Sequence, residues 1–224
     1  MKAVYLLLVF SCIFSVRSFA QQKGAVEVGA QFGIGRSGID LISSSGPAGS
    51  LTIANYSAGI STDLYWSDSW SFKIKVLYDQ KGFDQKDIII YPVLFNINMA
   101  PSPSPAQNVY SAIHLNYITI PLTANYHFGY KHRLNFDIGP YLGVLLKATD
   151  ADEPAGYQNI KSEYNNVDAG LTVGFGYKYP IAKRLKLFLE YQMQNGITNA
   201  VNTTQNPGVS YRNVCGSLTI GISF

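Results

Sequence analysis

From residue 24 onward, apolar side chains recur at every second position and polar or charged ones fall between them. Between residues 183 and 198, Leu187, Leu189, Tyr191 and Met193 hold one parity. Lys186, Glu190, Gln192 and Gln194 hold the other, with Phe188 as the exception. A period of two belongs to β-strands, whose successive side chains point to opposite faces. Past residue 20 nothing resembles the ~20-residue apolar run of a membrane-spanning helix. The chain is therefore an all-β sheet with two chemically different faces.

The same alternation places strands at about residues 24–36, 50–65, 69–83, 112–128, 132–147, 166–179, 183–198 and 210–224. Most exceed the five or six residues usual in soluble sheets and suit a tilted bilayer crossing of about nine to eleven residues plus overhang. The connections alternate in length. Residues 37–49, 84–111, 148–165 and 199–209 are long; Trp66-Ser67-Asp68, Gly129-Tyr130-Lys131 and Pro180-Ile181-Ala182 are tight. A soluble sandwich has no reason to sort its loops this way, whereas an outer-membrane barrel has short periplasmic turns and long external loops. Charged residues make up 14% of the chain, against roughly a quarter in soluble domains, so much of the surface faces something other than water. A periplasmic soluble sandwich is the structural alternative.

Parity then assigns the faces. Phe72, Ile74, Val76 and Tyr78 face lipid, as do Leu134, Phe136, Ile138, Leu142, Val144 and Leu146. A charge on that side costs about 2–4 kcal/mol at the midplane. Glu27, Asp63, Asp79, Asp137, Asp168 and Glu190 are thereby sent inward with Lys73, Lys75, Lys81, Lys147, Lys178 and Lys186. The two signs balance, and buried charges must pair, so the expectation is a filled, salt-bridged lumen with no open channel. Inward glycines at 29, 33, 170, 174 and 176 leave room for the long side chains. Aromatic residues flank each tight turn: Tyr65, Trp66 and Trp70; Tyr126, Phe128 and Tyr130; Tyr177 and Tyr179. They are expected to form an interfacial girdle.

The N-terminus carries Lys2, an apolar stretch from Ala3 to Val16, and Ser18 and Ala20 before Gln21-Gln22. That order reads as a signal peptide over residues 1–20, cleaved after Ala20. Cys12 lies inside the apolar run and not at its end, which argues against lipidation. Losing Lys2 and Arg17 from the seventeen basic residues leaves fifteen against fourteen acidic ones, a net charge of +1. No case for nucleic acid survives. One cysteine, Cys215, would remain, so no intramolecular disulfide can form.

Tyr117-Ile118-Thr119-Ile120-Pro121-Leu122 is followed by Asp137-Ile138-Gly139-Pro140-Tyr141-Leu142-Gly143, then Gly174-Phe175-Gly176-Tyr177, Glu190-Tyr191 and Gly196-Ile197-Thr198-Asn199. This ordered set, running through residues 21–224 and closing on Phe224, resembles the PorT-like outer membrane β-barrel family of Bacteroidota. A proline inside a strand, flanked by glycines, is its most specific feature. The resemblance implies an integral outer-membrane protein and, from the founding member, a part in type IX protein export; it implies no catalytic residues. Phe224 resembles the terminal aromatic by which the barrel-assembly machinery recognises its clients, with Leu218, Ile220 and Ile222 alternating before it and Gly216 departing from the pattern.

Chemistry is thinly represented. Of the three histidines, His132 and His127 lie near a tight turn; His114 with Ser111, near the outer end of a strand, is the pair a lipid-modifying enzyme would place. Nothing completes a nucleophile, base and orienting group. Asp150, Asp152 and Glu153 read as a solvated acidic loop, not a calcium site. No catalytic, cofactor-binding or metal-binding residue is assigned. Residues 84–111 combine Ile88-Ile89-Ile90-Tyr91 and Val93-Leu94-Phe95 with Pro101-Ser102-Pro103-Ser104-Pro105. Such apolar content in an external loop suits docking of a partner protein or lipopolysaccharide, or two strands continuing upward as a hairpin.

The sequence thus predicts a transmembrane antiparallel up-and-down β-barrel of about eight strands in the bacterial outer membrane, preceded by a cleaved signal peptide. Its expected role is non-enzymatic, in structure or interaction at the cell envelope, extending to assistance in protein secretion or assembly. A small-solute transport component and a lipid-modifying enzyme are the functional alternatives. Expected partners are outer-membrane lipid and lipopolysaccharide, the assembly machinery through Phe224, and a protein at residues 84–111.

Overall fold

The computed structural model describes residues 24–43, 46–87, 109–152, 156–202 and 210–224. The strands are β1 (Val26–Ser43), β2 (Gly46–Tyr65), β3 (Trp70–Asp87), β4 (Val109–Phe128), β5 (Leu134–Asp152), β6 (Gly156–Asn159), β7 (Val167–Ala182), β8 (Leu185–Gly196) and β9 (Ser210–Ser223). Each long strand pairs antiparallel with its chain neighbours, and β1 returns to β9, so eight strands close a ring; β6 pairs only with the outer end of β5. At the seam, Val28 and Phe224 exchange both backbone hydrogen bonds. Closure leaves no long sheet edge, which lets strands cross hydrocarbon without unpaired amides.

The expected faces are present. Phe136, Ile138, Leu142, Val144, Leu187, Leu189, Tyr191 and Met193 point outward, and the predicted inward carboxylates and glycines are buried. Phe188, the apolar exception, points inward over Gly221 and fills the notch that a missing side chain leaves. Gly216, which breaks the alternation of the last strand, lies beneath Tyr191: a Cβ there would stand 2.9 Å from the phenol oxygen.

The two prolines in the middle of strands, Pro121 and Pro140, sit in the wall. Pro121 pairs with Tyr141 and Pro140 with Leu171. The β4–β5 ladder lapses between Pro121↔Tyr141 and Ala124↔Ile138, where the backbone of Gly139 presses on Leu122 and Thr123. A proline offers no N–H to a ladder, and the bare α-carbon of Gly139 lets the two chains close the gap.

Four expectations are corrected. Lys147 is exposed outward, because a bulge between Asn116 and Tyr117 sets Lys147 opposite Asn116 and Leu145 opposite Tyr117, reversing parity. Among the described residues the interior charges therefore number six acidic and five basic, not a balanced set. Tyr65 is buried, turned into the barrel at a strand end, and is no part of the girdle. The third tight turn falls at Lys183-Arg184, not at Pro180-Ile181-Ala182: β7 continues through those residues with a register shift between Pro180 and Ala182. Finally, residues 37–49 form no open loop, since β1 and β2 pair as far as Ser43↔Gly46. Antiparallel pairing satisfies the backbone wherever the strands outrun the bilayer. β3 and β4 likewise pair up to Asp87↔Val109. Residues 1–20, expected as a signal peptide, the apolar and proline-rich residues 88–105 and Glu153 lie outside the described residues.

Candidate functional site

The barrel interior is the place where chemistry-bearing residues converge, and it is arranged in layers. At the short-turn end, Lys178 Nζ lies 2.8 Å from Glu27 Oε1 and 2.8 Å from Asp63 Oδ2, and Lys186 Nζ lies 2.6 Å from Glu27 Oε2. Tyr65 donates its phenol proton to Glu27 at 3.2 Å, and Ser223 donates to the same carboxylate at 2.5 Å. One strand position supplies each group, so five elements are cross-linked by a single cluster.

A second layer forms on Glu190. Lys73 bonds it at 2.8 Å and Lys75 bonds its other oxygen, while Lys75 also donates to Gln192 at 3.2 Å. Asp137 faces Lys73 at 3.7 Å, but neither of its oxygens has a hydrogen bond; its carboxylate sits against Gly174. Between the first and second layers a cavity of about 10 Å³ is lined by Glu27, Gln31, Asp63, Lys73, Lys178 and Glu190, room for a single water.

The third layer is built around Lys81, which lies 2.9 Å from Asp168 and 3.8 Å from Asp79. Its ammonium also stands 4.5 Å over the Tyr141 ring and 5.5 Å over the Tyr117 ring. Tyr141 donates to Asp168 at 3.3 Å and Thr119 to Asp79 at 3.3 Å. Cys215, buried beside this layer, accepts a 2.7 Å bond from Asn55.

Above the charges lies an apolar lid. Ile113, Leu115, Tyr117, Leu145, Ala148 and Tyr164 form one buried cluster, with Phe83, Ile160 and Val201 against it. Tyr164 comes from the connection between β6 and β7, outside the barrel wall, and two external segments hold it there. It bridges to Val201; Asn165 N–H donates to Ala200 O at 2.8 Å, and Asn202 N–H donates to Glu163 O at 2.8 Å. Burial, with Glu163 and Asp150 nearby, pushes the Tyr164 phenol above its ordinary range. Parity reasoning finds every ionic layer but not the Tyr164 part of this lid, because a loop has no period to read; of the two tyrosines in that loop, Tyr157 is exposed and only Tyr164 is buried.

The histidines do not assemble a catalytic group. His114 is on the outward face and shares a 3.2 Å contact with Gln80, and the side chain of Ser111 lies outside those described. A serine that the sequence reading passed over, Ser71, has its Oγ 2.9 Å from His127 Nε2 and 3.1 Å from Asp63 Oδ1. A catalytic triad needs the acid on the far ring nitrogen; here Asp63 bonds the serine, His127 Nδ1 has no partner, and all three are buried. Among the described residues no three His, Cys, Asp or Glu side chains converge as a metal site.

Outside, the short-turn end carries the aromatic belt: Trp66 stacks on Trp70 at 6.2 Å, Trp70 meets Tyr126 at 4.8 Å, Tyr126 stacks on Phe128 at 5.7 Å and Phe128 meets Phe175 at 6.2 Å. A lipid-facing apolar wall, an aromatic belt and a polar filled interior define a bacterial outer-membrane β-barrel. The chain belongs to the family described as outer membrane protein beta-barrel domain, whose signature matches residues 19–202. No curated protein is significantly similar to it in sequence.

Among solved structures, Neisserial surface protein A is 18% identical, with 88% of this chain and 95% of that one covered and a TM-score of 0.45. OprG from Pseudomonas aeruginosa is 11% identical, with 92% and 98% covered and a TM-score of 0.40. The attachment invasion locus protein Ail of Yersinia pestis is 10% identical, with 91% and 100% covered and a TM-score of 0.38.

Proposed function

We propose that this protein is a non-catalytic, non-conducting barrel whose function lies in its outer contacts: an envelope protein of structural, interaction or assembly type. The observation that carries the reading is the filling of the lumen at three depths by buried ion pairs, closed above by the Tyr164 lid. A solute would have to displace charges that hold the wall together. Partner contacts fall to what projects from the membrane. Residues 84–111 are the proposed docking segment for a protein or for lipopolysaccharide, and Phe224, paired into the seam, is the proposed signal to the assembly machinery. The likeness of Tyr117–Leu122 and Asp137–Gly143 to PorT-like barrels supports a role beside type IX export in a member of the Bacteroidota.

Three measurements, on refolded protein and in cells, decide the reading. The refolded barrel in planar bilayers is expected to be silent; steady unitary conductance would overturn the closed-lumen reading in favour of transport. Deleting residues 88–107 in cells is expected to remove envelope partners recovered by cross-linking while the barrel still shifts on unheated gels. Unchanged partners and an unchanged envelope phenotype would overturn the docking role. A lipid A profile altered by His114→Ala would overturn the non-catalytic reading.

A further inference from the structure

The short-turn rim is not electrostatically uniform. The β2–β3 turn, Trp66 to Ser69, carries Asp68 and no cation. The β4–β5 turn carries Lys131 and Arg133, and the β7–β8 turn carries Lys183 and Arg184. These two turns are neighbours, because β5 pairs with β7: Leu134 lies opposite Tyr177, and Lys178 N–H donates to Arg133 O at 2.7 Å. Among the described residues no Asp or Glu carboxylate lies within ion-pairing range of any of the four cations, although every interior lysine has one.

Arg133 is held in place without being neutralised. Its guanidinium stands 5.8 Å from the Tyr130 ring and 5.4 Å from the Tyr179 ring, and it donates to Tyr177 Oη at 3.4 Å. Its Nε is enclosed with no hydrogen-bond partner. Lys131 lies 5.3 Å over the Tyr130 ring. Lys131 and His132 are also successive non-glycine residues at φ 55° and 52°, where a hairpin ordinarily uses Asn-Gly. The β7–β8 hairpin is exposed on both faces from Tyr179 to Arg184, so it projects past the rim.

The depth of the patch identifies what it meets. Tyr177 and Tyr179 continue the outward face of β7 from Val173 and Phe175, level with the aromatic belt on β3 and β4. The cations lie one to a few residues beyond, where lipid headgroups begin. Tyr130 at 76% exposure, Tyr179 at 52% and Ile181 at 56% intermix apolar surface with the charge. That mixture fits the acyl–headgroup boundary better than a water-borne acidic polypeptide.

We propose that Lys131, Arg133, Lys183 and Arg184 form a one-sided binding site for the phosphate headgroup of an anionic phospholipid in the periplasmic leaflet. Arg133, oriented by three tyrosines, positions the patch; the lysines and Arg184 add charge from the two turns.

The test uses the full refolded barrel in nanodiscs of phosphatidylethanolamine with a minority of phosphatidylglycerol, and counts retained lipids by native mass spectrometry. A single near-surface cation favours an anionic lipid by roughly fivefold, so wild type is expected to hold phosphatidylglycerol at least about fivefold above its bulk share. K183Q/R184Q, confined to a solvated hairpin tip, is expected to lose most of that enrichment while keeping its heat-dependent gel shift. The control R36Q/K147Q, on the outward face near the opposite end, is expected to keep it. Bulk composition in wild type overturns the proposal, as does retention unaffected by K183Q/R184Q or equally lost in the control. Bulk lipid together with poly-glutamate binding that K183Q/R184Q abolishes overturns it in favour of an acidic polypeptide partner.

Discussion

At the residue scale, the interior is governed by the cost of an unpaired charge. Glu190 holds both Lys73 and Lys75, and breaking a buried pair by removing one partner costs about 3–5 kcal/mol. Glu190→Gln is therefore expected to lower the unfolding free energy, read from urea unfolding in lipid, by about 3–5 kcal/mol. Lys186→Gln should cost under about 1 kcal/mol, because that side chain is 17% exposed and Glu27 keeps Lys178. Equal losses in the two variants would show that the Glu190 pairs are not desolvated. Gly174→Ala tests packing by itself: its Cβ would come within 2.5–2.8 Å of the Asp137 carboxylate, and a destabilisation of about 1–3 kcal/mol is expected from the overpacking. The interior charges were legible in the sequence because the lipid-face penalty is large at midplane. Parity also accounts for Tyr65, which shares the inward side of Asp63, whereas Lys147 changes face at a bulge that periodicity does not show.

At the element scale, hairpin geometry was the part least visible in advance. Strand existence followed from period two, but registers depend on bulges such as those near Asn116 and Ile181, which leave no compositional trace. Pro180 looked like a turn residue, yet the hairpin runs past it to Lys183-Arg184. The β4–β5 turn carries a cost that a substitution can release. A left-handed L-residue is disfavoured by about 1–2 kcal/mol, and glycine is free of that penalty. Lys131→Gly is expected to stabilise the barrel by about 1 kcal/mol in the same unfolding assay while reducing anionic-lipid retention. His132 offers no such gain, since its Nδ1 lies 3.2 Å from the His127 carbonyl and helps end β4. Unchanged or lower stability in Lys131→Gly would mean that the turn relaxes out of the left-handed region in lipid.

At the scale of the whole molecule, the barrel is closed twice, by charge within and by apolar packing above, and the two closures answer to different perturbations. The Tyr164 phenol is pushed up by burial first and then by Glu163 and Asp150. A raised folded-state pKa means that its contribution is complete below the ordinary phenol value near 10 and is lost as pH rises beyond it. Proteolytic nicking between β6 and β7 is therefore expected to rise above about pH 10 in wild type, more steeply than in Tyr164→Phe, where nothing titrates. Loss of the lid is not expected to open the barrel, however. Beneath it Lys81 spans Asp79 and Asp168, and two further ionic layers follow, each cross-linking strands from opposite walls. Tyr164→Ala is expected to be nicked readily at neutral pH and still to carry no current in planar bilayers. Current in Tyr164→Ala would make the lid the only barrier and the ionic layers a wetted path. Silence in that variant, with current appearing only when Lys81→Met is added, would place the tightest seal at the Lys81 layer.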